Sequence, residues 1–257
     1  MNMNFALILT IAAIITGIIA LADWLWFSKK RAPDATPNVI IEYARSLFPI
    51  FLLVLVIRSF IVEPFHIPSG SLEPSLLPGD FVVANKFAYG LRLPVLNTKV
   101  LNTWEPKVGQ IVVFRWPINP SIDYIKRVVG IPGDHISYIN KVLYINGKQA
   151  TQKPLGYALD TDGTGGAWLV EKVQENLLGV KHDIYINPKQ PAVNFTNLIV
   201  PKGMYFMMGD NRDASYDSRY WGFAPEQNLI GKAFVIFFSW SSDRDNVRWS
   251  RLGQWIG

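Results

Sequence analysis

The chain has 257 residues, 49% hydrophobic and 13% aromatic, with 25 Lys+Arg against 20 Asp+Glu. That composition can build a full core and excludes a disordered chain. No cysteine is present, which excludes a disulfide scaffold, a thiol nucleophile and a Cys-ligated zinc or iron–sulfur centre, and leaves the redox compartment open. The net charge of +5 is spread along the chain and points only weakly to an anionic partner such as lipid headgroups or nucleic acid.

Residues 1–22 carry no charged side chain, and 5–21 run almost unbroken through apolar residues, long enough to cross a bilayer. Ala20-Leu21-Ala22 has the small-x-small form of a cleavage site, so a removed signal peptide competes with this reading. No Lys or Arg precedes the stretch to form a basic leader region, which favours a retained span at about 4–22. A second apolar stretch, SLFPIFLLVLVIRSFIV, covers 46–62; a buried core helix is its alternative. Arg58 falls near its end, where a long stem can reach the headgroup layer. Lys29, Lys30, Arg31 and Arg45 lie between the spans, so the positive-inside rule places the loop 23–45 in the cytoplasm. Everything after residue 62 then faces outward, which in a cell with an inner membrane is the periplasm.

Beyond Glu63 short runs rich in Val, Ile, Phe and Tyr alternate with Pro-Gly, Gly-Asp and Asn-Gly signals, the punctuation of a β protein. The runs 81–84, 110–115, 125–129, 135–138, 142–145, 205–208 and 232–238 read as strands, and no long 3.6-residue period competes. Residues 149–198 are more polar, hold the loose tract 160–166, and read as an insertion in a β-rich body.

His66, His135 and His182 are the only histidines, and H-E-x-x-H is missing, which speaks against a zinc hydrolase. The P-loop, dinucleotide, G-x-S-x-G and S-x-x-K patterns are missing too. A serine acting here therefore needs an activator other than a neighbouring histidine. PSGSLEPSL, residues 68–76, packs two serines around a glycine just past the second span, a turn able to present a hydroxyl with backbone N–H groups; taken alone, such a segment is more often a plain membrane-exit loop. DYIKRVVGIPGD, residues 123–134, sets Lys126 in an otherwise apolar strand. A lysine among apolar groups loses stability as a cation and becomes a base, whereas a lysine on the solvated face would not. GDNRDASYDSRYWG, residues 209–222, is a polar turn between an apolar strand and an aromatic cluster, of a kind also built by Asx hydrogen bonds and ion pairs alone.

In this order behind two spans, these three segments resemble the bacterial type I signal peptidases, the leader peptidases of the inner membrane. RSFIVEPFHIPSGS, GDFVVANKFAYG, GQIVVFRWP and GFAPEQNLIGKA fit the same family, so the resemblance covers nearly the whole chain and is weakest in the insertion. It implies a mainly β fold: an anchor over 1–63 with two transmembrane helices, then a periplasmic Ser-Lys peptidase domain over 64–257 with a β-rich insertion at about 149–198. It implies Ser71 as nucleophile and Lys126 as general base, cutting preproteins after small-x-small residues through an acyl-enzyme. Ser215 would orient the lysine, and Ser69 would join the Ser71 N–H in holding the oxyanion. Asp210 would pair with Arg127, and Asp217 with Arg219, to brace the loops. Phe65, Ile67, Pro68, Leu72, Leu76, Tyr124 and Ile125 match the shallow pockets that read the small residues. Leu72 stands where the family usually has methionine, a change of similar volume.

The resemblance implies no metal and no cofactor. Its partners are exported preproteins, membrane lipid and the translocation machinery, with no nucleic acid. Two other readings stay open: another Ser-Lys peptidase of this fold, such as a self-cleaving repressor, and a non-enzymatic membrane-tethered β domain that binds envelope proteins. Trp221, Trp240, Trp249 and Trp255 with Arg248 and Arg251 suggest a bilayer-facing surface, although core packing suits Trp221 and Trp240.

Overall fold

The computed structural model describes residues 3–31, 36–92, 99–101, 103–161, 166–242 and 244–256. They fall into two compact units: Met1–Glu63 with Gly90–Thr103, and Pro64–Tyr89 with Trp104–Gly257.

In the first unit the apolar stretches are helical. Met3–Ala22 continues through a wider turn at Asp23–Phe27, and Val39–Val56 through another at Ile57–Ile61. Asn38 caps the second helix by accepting from the Ile40 N–H at 3.0 Å. The two apolar windows, Leu7–Lys30 and Val39–Ile61, are long and apolar enough to cross a membrane. Gly17 gives Phe48 room to pack, since a methyl group at 17 would meet its ring at 2.8 Å. Asp23, which is buried, accepts from Arg31 at 2.5 Å and Arg45 at 3.4 Å, so two of the cations between the helices have an acidic partner. Arg58 pairs with Glu63 at 3.2 Å.

The second unit is β, as the punctuation predicts. Its main sheet runs, neighbour to neighbour, Val62–His66, Asp80–Asn85, Leu229–Ser241, Ile111–Arg115, Asp123–Gly130, Met204–Met208 and Ala224–Pro225. Each strand predicted in this sheet is present; 110–115 begins one residue later, at Ile111, and the others are extended by one to several residues. Thr151–Thr161, Ala167–Leu177 and Val180–Ile186 form a separate three-stranded antiparallel sheet, and Phe195–Ile199 pairs with His135–Ile139 in another. The centre of the loose tract 160–166 lies outside the described residues.

Register brings the motifs together. Ile111 faces Arg127 and Val112 faces Lys126, while Met208 faces Arg127. The polar turn that begins at Gly209 therefore leaves its strand beside Lys126 and Arg127. Alternation then sends these two cations to opposite faces. Ile67, Leu72, Leu76, Val82, Ile111, Ala233 and Ile236 make a fully buried cluster under the 68–76 turn, which anchors that turn to the sheet.

Candidate active site

The 68–76 segment begins extended, and Gly70–Leu72 closes a single 3₁₀ turn. Leu72 is the reason it stays put: its side chain is 0% exposed, and burying a leucine is worth about 2 kcal/mol. The turn carries Ser71 to Lys126. Ser71 is 8% exposed and Lys126 5%, and the Lys126 Nζ is in close hydrogen-bond contact with the Ser71 Oγ. Burial pushes the Lys126 ammonium down from 10.5 to about 8; Asp217 and Asp210 oppose this by their charge, and Arg219 adds to it. The Tyr124 ring lies 5.7 Å from Nζ and stacks on Trp116 at 5.2 Å, forming an aromatic wall on one side of the amine.

Asp210 and Arg127 pair with two parallel bonds, 2.7 Å from Nε and 2.6 Å from Nη2. Burial alone would raise the Asp210 carboxyl, but the charge and hydrogen bonds of Arg127 outweigh it and hold the pKa below its ordinary value. Arg127 also donates to the Gly109 carbonyl at 2.5 Å, and Ser75 donates to Asp210 at 2.5 Å. Asp217 accepts from Arg219 Nε and Nη2, both at 2.8 Å, and from the Gly209 N–H at 3.0 Å. Both predicted ion pairs are thus in place and join the three motifs.

Ser69 donates to the Ser71 Oγ across 3.5 Å from an exposed position. Ser215 is buried, and among the described residues its hydroxyl has no hydrogen-bond partner, so the anticipated bond to Lys126 is not formed. It lies against Gly209, where an added methyl group would collide with the Ser71 carbonyl oxygen and the Ser215 hydroxyl together. The displaced atom would be backbone, which cannot swing aside. Gly209→Ala should therefore cut cleavage by at least about a hundredfold, the scale of a lost transition-state contact, while leaving the circular dichroism spectrum unchanged; activity within about twofold of wild type would show that the turn yields.

Among the predicted pocket residues, Ile67, Leu72 and Leu76 are fully buried, Phe65, Tyr124 and Ile125 are half-buried, and Pro68 is exposed. Only the second group and Pro68 reach the surface; Phe65 and Ile125 pack on the cluster that holds the buried three. Arg248 and Arg251 are engaged inward instead of facing lipid: Arg251 clamps the buried Asp80 from Nη2 at 2.6 Å, and Arg248 donates to the Pro78 carbonyl at 2.9 Å. Trp249 and Trp255 remain exposed, and Trp221 is core.

Several buried groups escape the sequence reading. Asn211 donates its backbone N–H to the Ser71 carbonyl at 3.2 Å, and its Nδ2 to Gly70 O at 3.2 Å and Asp160 Oδ2 at 2.8 Å. Arg212 donates to the buried Glu175. Burial would raise Glu175, but Arg212 and His182 hold it at about 2. Glu73 is pushed up to about 7, first by burial and then by the charge of Asp160. No signal in the sequence pairs residues so far apart. Among the described residues no cluster of His, Cys, Asp and Glu could hold a metal ion.

The family model described as "Signal peptidase, peptidase S26" matches residues 40–240, a span that contains all three motifs. The chain belongs to this family. It is therefore a peptidase, a hydrolase. Among curated relatives, a signal peptidase I of Pseudomonas aeruginosa is 43% identical, covering 98% of this chain and 99% of its own. One of Pseudomonas fluorescens is 42% identical, covering 93% and 94%. One of Buchnera aphidicola is 38% identical, covering 93% and 94%.

Proposed function

We propose that this peptidase removes signal peptides from exported preproteins, with Ser71 as nucleophile and Lys126 as general base. The observation that carries this is a buried amine held against a buried hydroxyl. A serine hydroxyl attacks only when a base takes its proton, and a lysine can do so near neutrality only when burial keeps part of it neutral. Ser71 Oγ attacks the scissile carbonyl as Lys126 Nζ takes the proton. The Ser71 N–H and the Ser69 hydroxyl hold the oxyanion. The resulting ammonium then gives its proton to the leaving amine, and an ester to Ser71 remains. Water, deprotonated by the again neutral Lys126, hydrolyses that ester and restores the serine. Ser215 gains its role at the acyl stage, when Ser71 Oγ no longer engages the amine and the free Ser215 hydroxyl can orient it.

Phe65, Pro68, Tyr124 and Ile125 form the surface that accepts small residues at the first and third positions before the cut, over a floor of Ile67, Leu72 and Leu76. The two apolar helices are consistent with a membrane-anchored enzyme. The cations between them favour an inner-membrane topology with the peptidase unit on the periplasmic side. Membrane lipid and the translocation machinery are then its neighbours.

The test is to incubate the detergent-solubilised full chain with a preprotein carrying an A-x-A site and to locate the cut by mass spectrometry. One cut directly after that motif is expected. A cut elsewhere would overturn the specificity, and no cut by folded protein would favour a domain that only binds peptides.

A further inference from the structure

We propose that Asp160 is a positioning residue for the cleavage reaction, acting through Asn211 on the Gly70–Ser71 peptide; this rests on the assignment of Ser71 above. Asp160 closes the strand Thr151–Thr161, in which it is the one buried residue, at 1% exposure. One of its oxygens, Oδ1, accepts locally from the Thr161 N–H at 2.9 Å, which leaves Oδ2 for a partner outside the strand. Its charge faces Glu73 and helps push that carboxyl up to about 7, and like charges at close range disfavour each other. What it gains is Asn211, itself 2% exposed.

An amide nitrogen has two hydrogens to donate. Asn211 gives one to Asp160 Oδ2 at 2.8 Å and the other to the Gly70 carbonyl at 3.2 Å, while its backbone N–H holds the Ser71 carbonyl at 3.2 Å. A carboxylate only accepts, so Asp160 fixes which end of the Asn211 amide faces Gly70. The reverse orientation would set the amide oxygen against two other oxygens. Together with the Glu73 N–H, which donates to the same Gly70 carbonyl at 3.0 Å, this bond fixes the plane of the peptide that follows, and in a planar trans peptide the Ser71 N–H points opposite to that carbonyl. This N–H is the proposed backbone donor to the oxyanion. Asp160 thus sets the aim of a group that matters most in the transition state.

The test is steady-state cleavage of a preprotein by full-length wild type, Asp160→Ala, Asp160→Asn, Asn211→Ala and the Asp160→Ala/Asn211→Ala double variant, with Ser71→Ala as control. Misaiming an oxyanion donor should lower kcat at least about tenfold in Asp160→Ala while KM stays within about twofold. Asp160→Asn, which keeps one acceptor oxygen but can turn its NH₂ toward Asn211, should fall between Asp160→Ala and wild type. The double variant should be no slower than Asn211→Ala, because the two residues act in series. Wild-type kcat in Asp160→Ala, or losses that multiply in the double variant, would overturn the proposal while leaving the Ser71 assignment standing. If Asp160→Ala does not fold, Asn211→Ala decides, and wild-type kcat there would overturn it equally. Cleavage that survives Ser71→Ala would remove the reading on which it rests.

Discussion

Lys126→Met and Ser71→Ala should each reduce signal-peptide cleavage to background, and Lys126→Met should at the same time make the folded protein more stable near neutral pH. The loss of activity follows from chemistry: a positioned base contributes about 10²- to 10⁴-fold, and here the same amine must also protonate the leaving group. The gain in stability follows from linkage. Lys126 is lowered from 10.5 to about 8, so below pH 8 the folded state carries a buried ammonium that the unfolded chain carries in water. At about 1.4 kcal/mol per pH unit, that penalty is about 3 kcal/mol; it is fully present below about pH 8 and fades as pH rises toward 10.5. Methionine fills the same space without the charge. Urea unfolding of both proteins near pH 7 and again near pH 10 should show the variant ahead by up to about 3 kcal/mol at the lower pH and by less at the higher. A variant less stable at both values would make Lys126 a structural residue.

Asp217→Ala carries the second large effect, on stability as well as rate. The carboxylate is 0% exposed and the Arg219 side chain 1%. Removing it takes away the counter-charge of a buried guanidinium, which keeps only the Arg212 carbonyl, and leaves the Gly209 N–H without its acceptor. A buried pair broken on one side costs about 3 to 5 kcal/mol. Asp217→Asn, which keeps the shape and one acceptor, should lose less. The substitution also removes the largest charge that supports the Lys126 ammonium, so residual activity should begin its rise at a lower pH than in wild type. Thermal melts together with pH profiles of the two variants check both parts. An Asp217→Ala protein with wild-type melting and an unmoved profile would place the bracing elsewhere.

The fold is legible where periodicity and turn chemistry agree. The strands around Val82, Val113, Ile125 and Phe206 are rich in apolar residues and bounded by Gly or Pro signals; the Val82 strand buries every second residue, and the Val113 and Phe206 strands are buried almost throughout. The long strands 151–161 and 167–177 are harder to read, because Leu155, Tyr157, Leu159 and Leu169 are exposed while the one buried residue of the first strand is the charged Asp160, so the apolar pattern does not mark the buried face. The site is legible for a different reason. Ser71, Lys126 and the 209–222 turn lie in compact segments, and each is brought to the others by sheet register, which no single segment reveals. Asp160, Glu175 and Asn211 are invisible because their meaning depends on partners far along the chain. Arg248 and Arg251 show the converse: a basic pair near exposed tryptophans suggests lipid, yet both turn inward because the buried Asp80 needs cationic partners more than the surface does.

The dyad stands or falls on the state of one amine, so the most direct measurement is the pH dependence of kcat/KM for preprotein cleavage by the wild-type full chain. The rate should rise with pH and reach half its plateau near the Lys126 value of about 8, with no ionisation below neutrality needed to explain it. A profile already flat at about pH 6, or one whose midpoint lies near that of a solvated lysine at about 10.4, would contradict a buried Lys126 as the base.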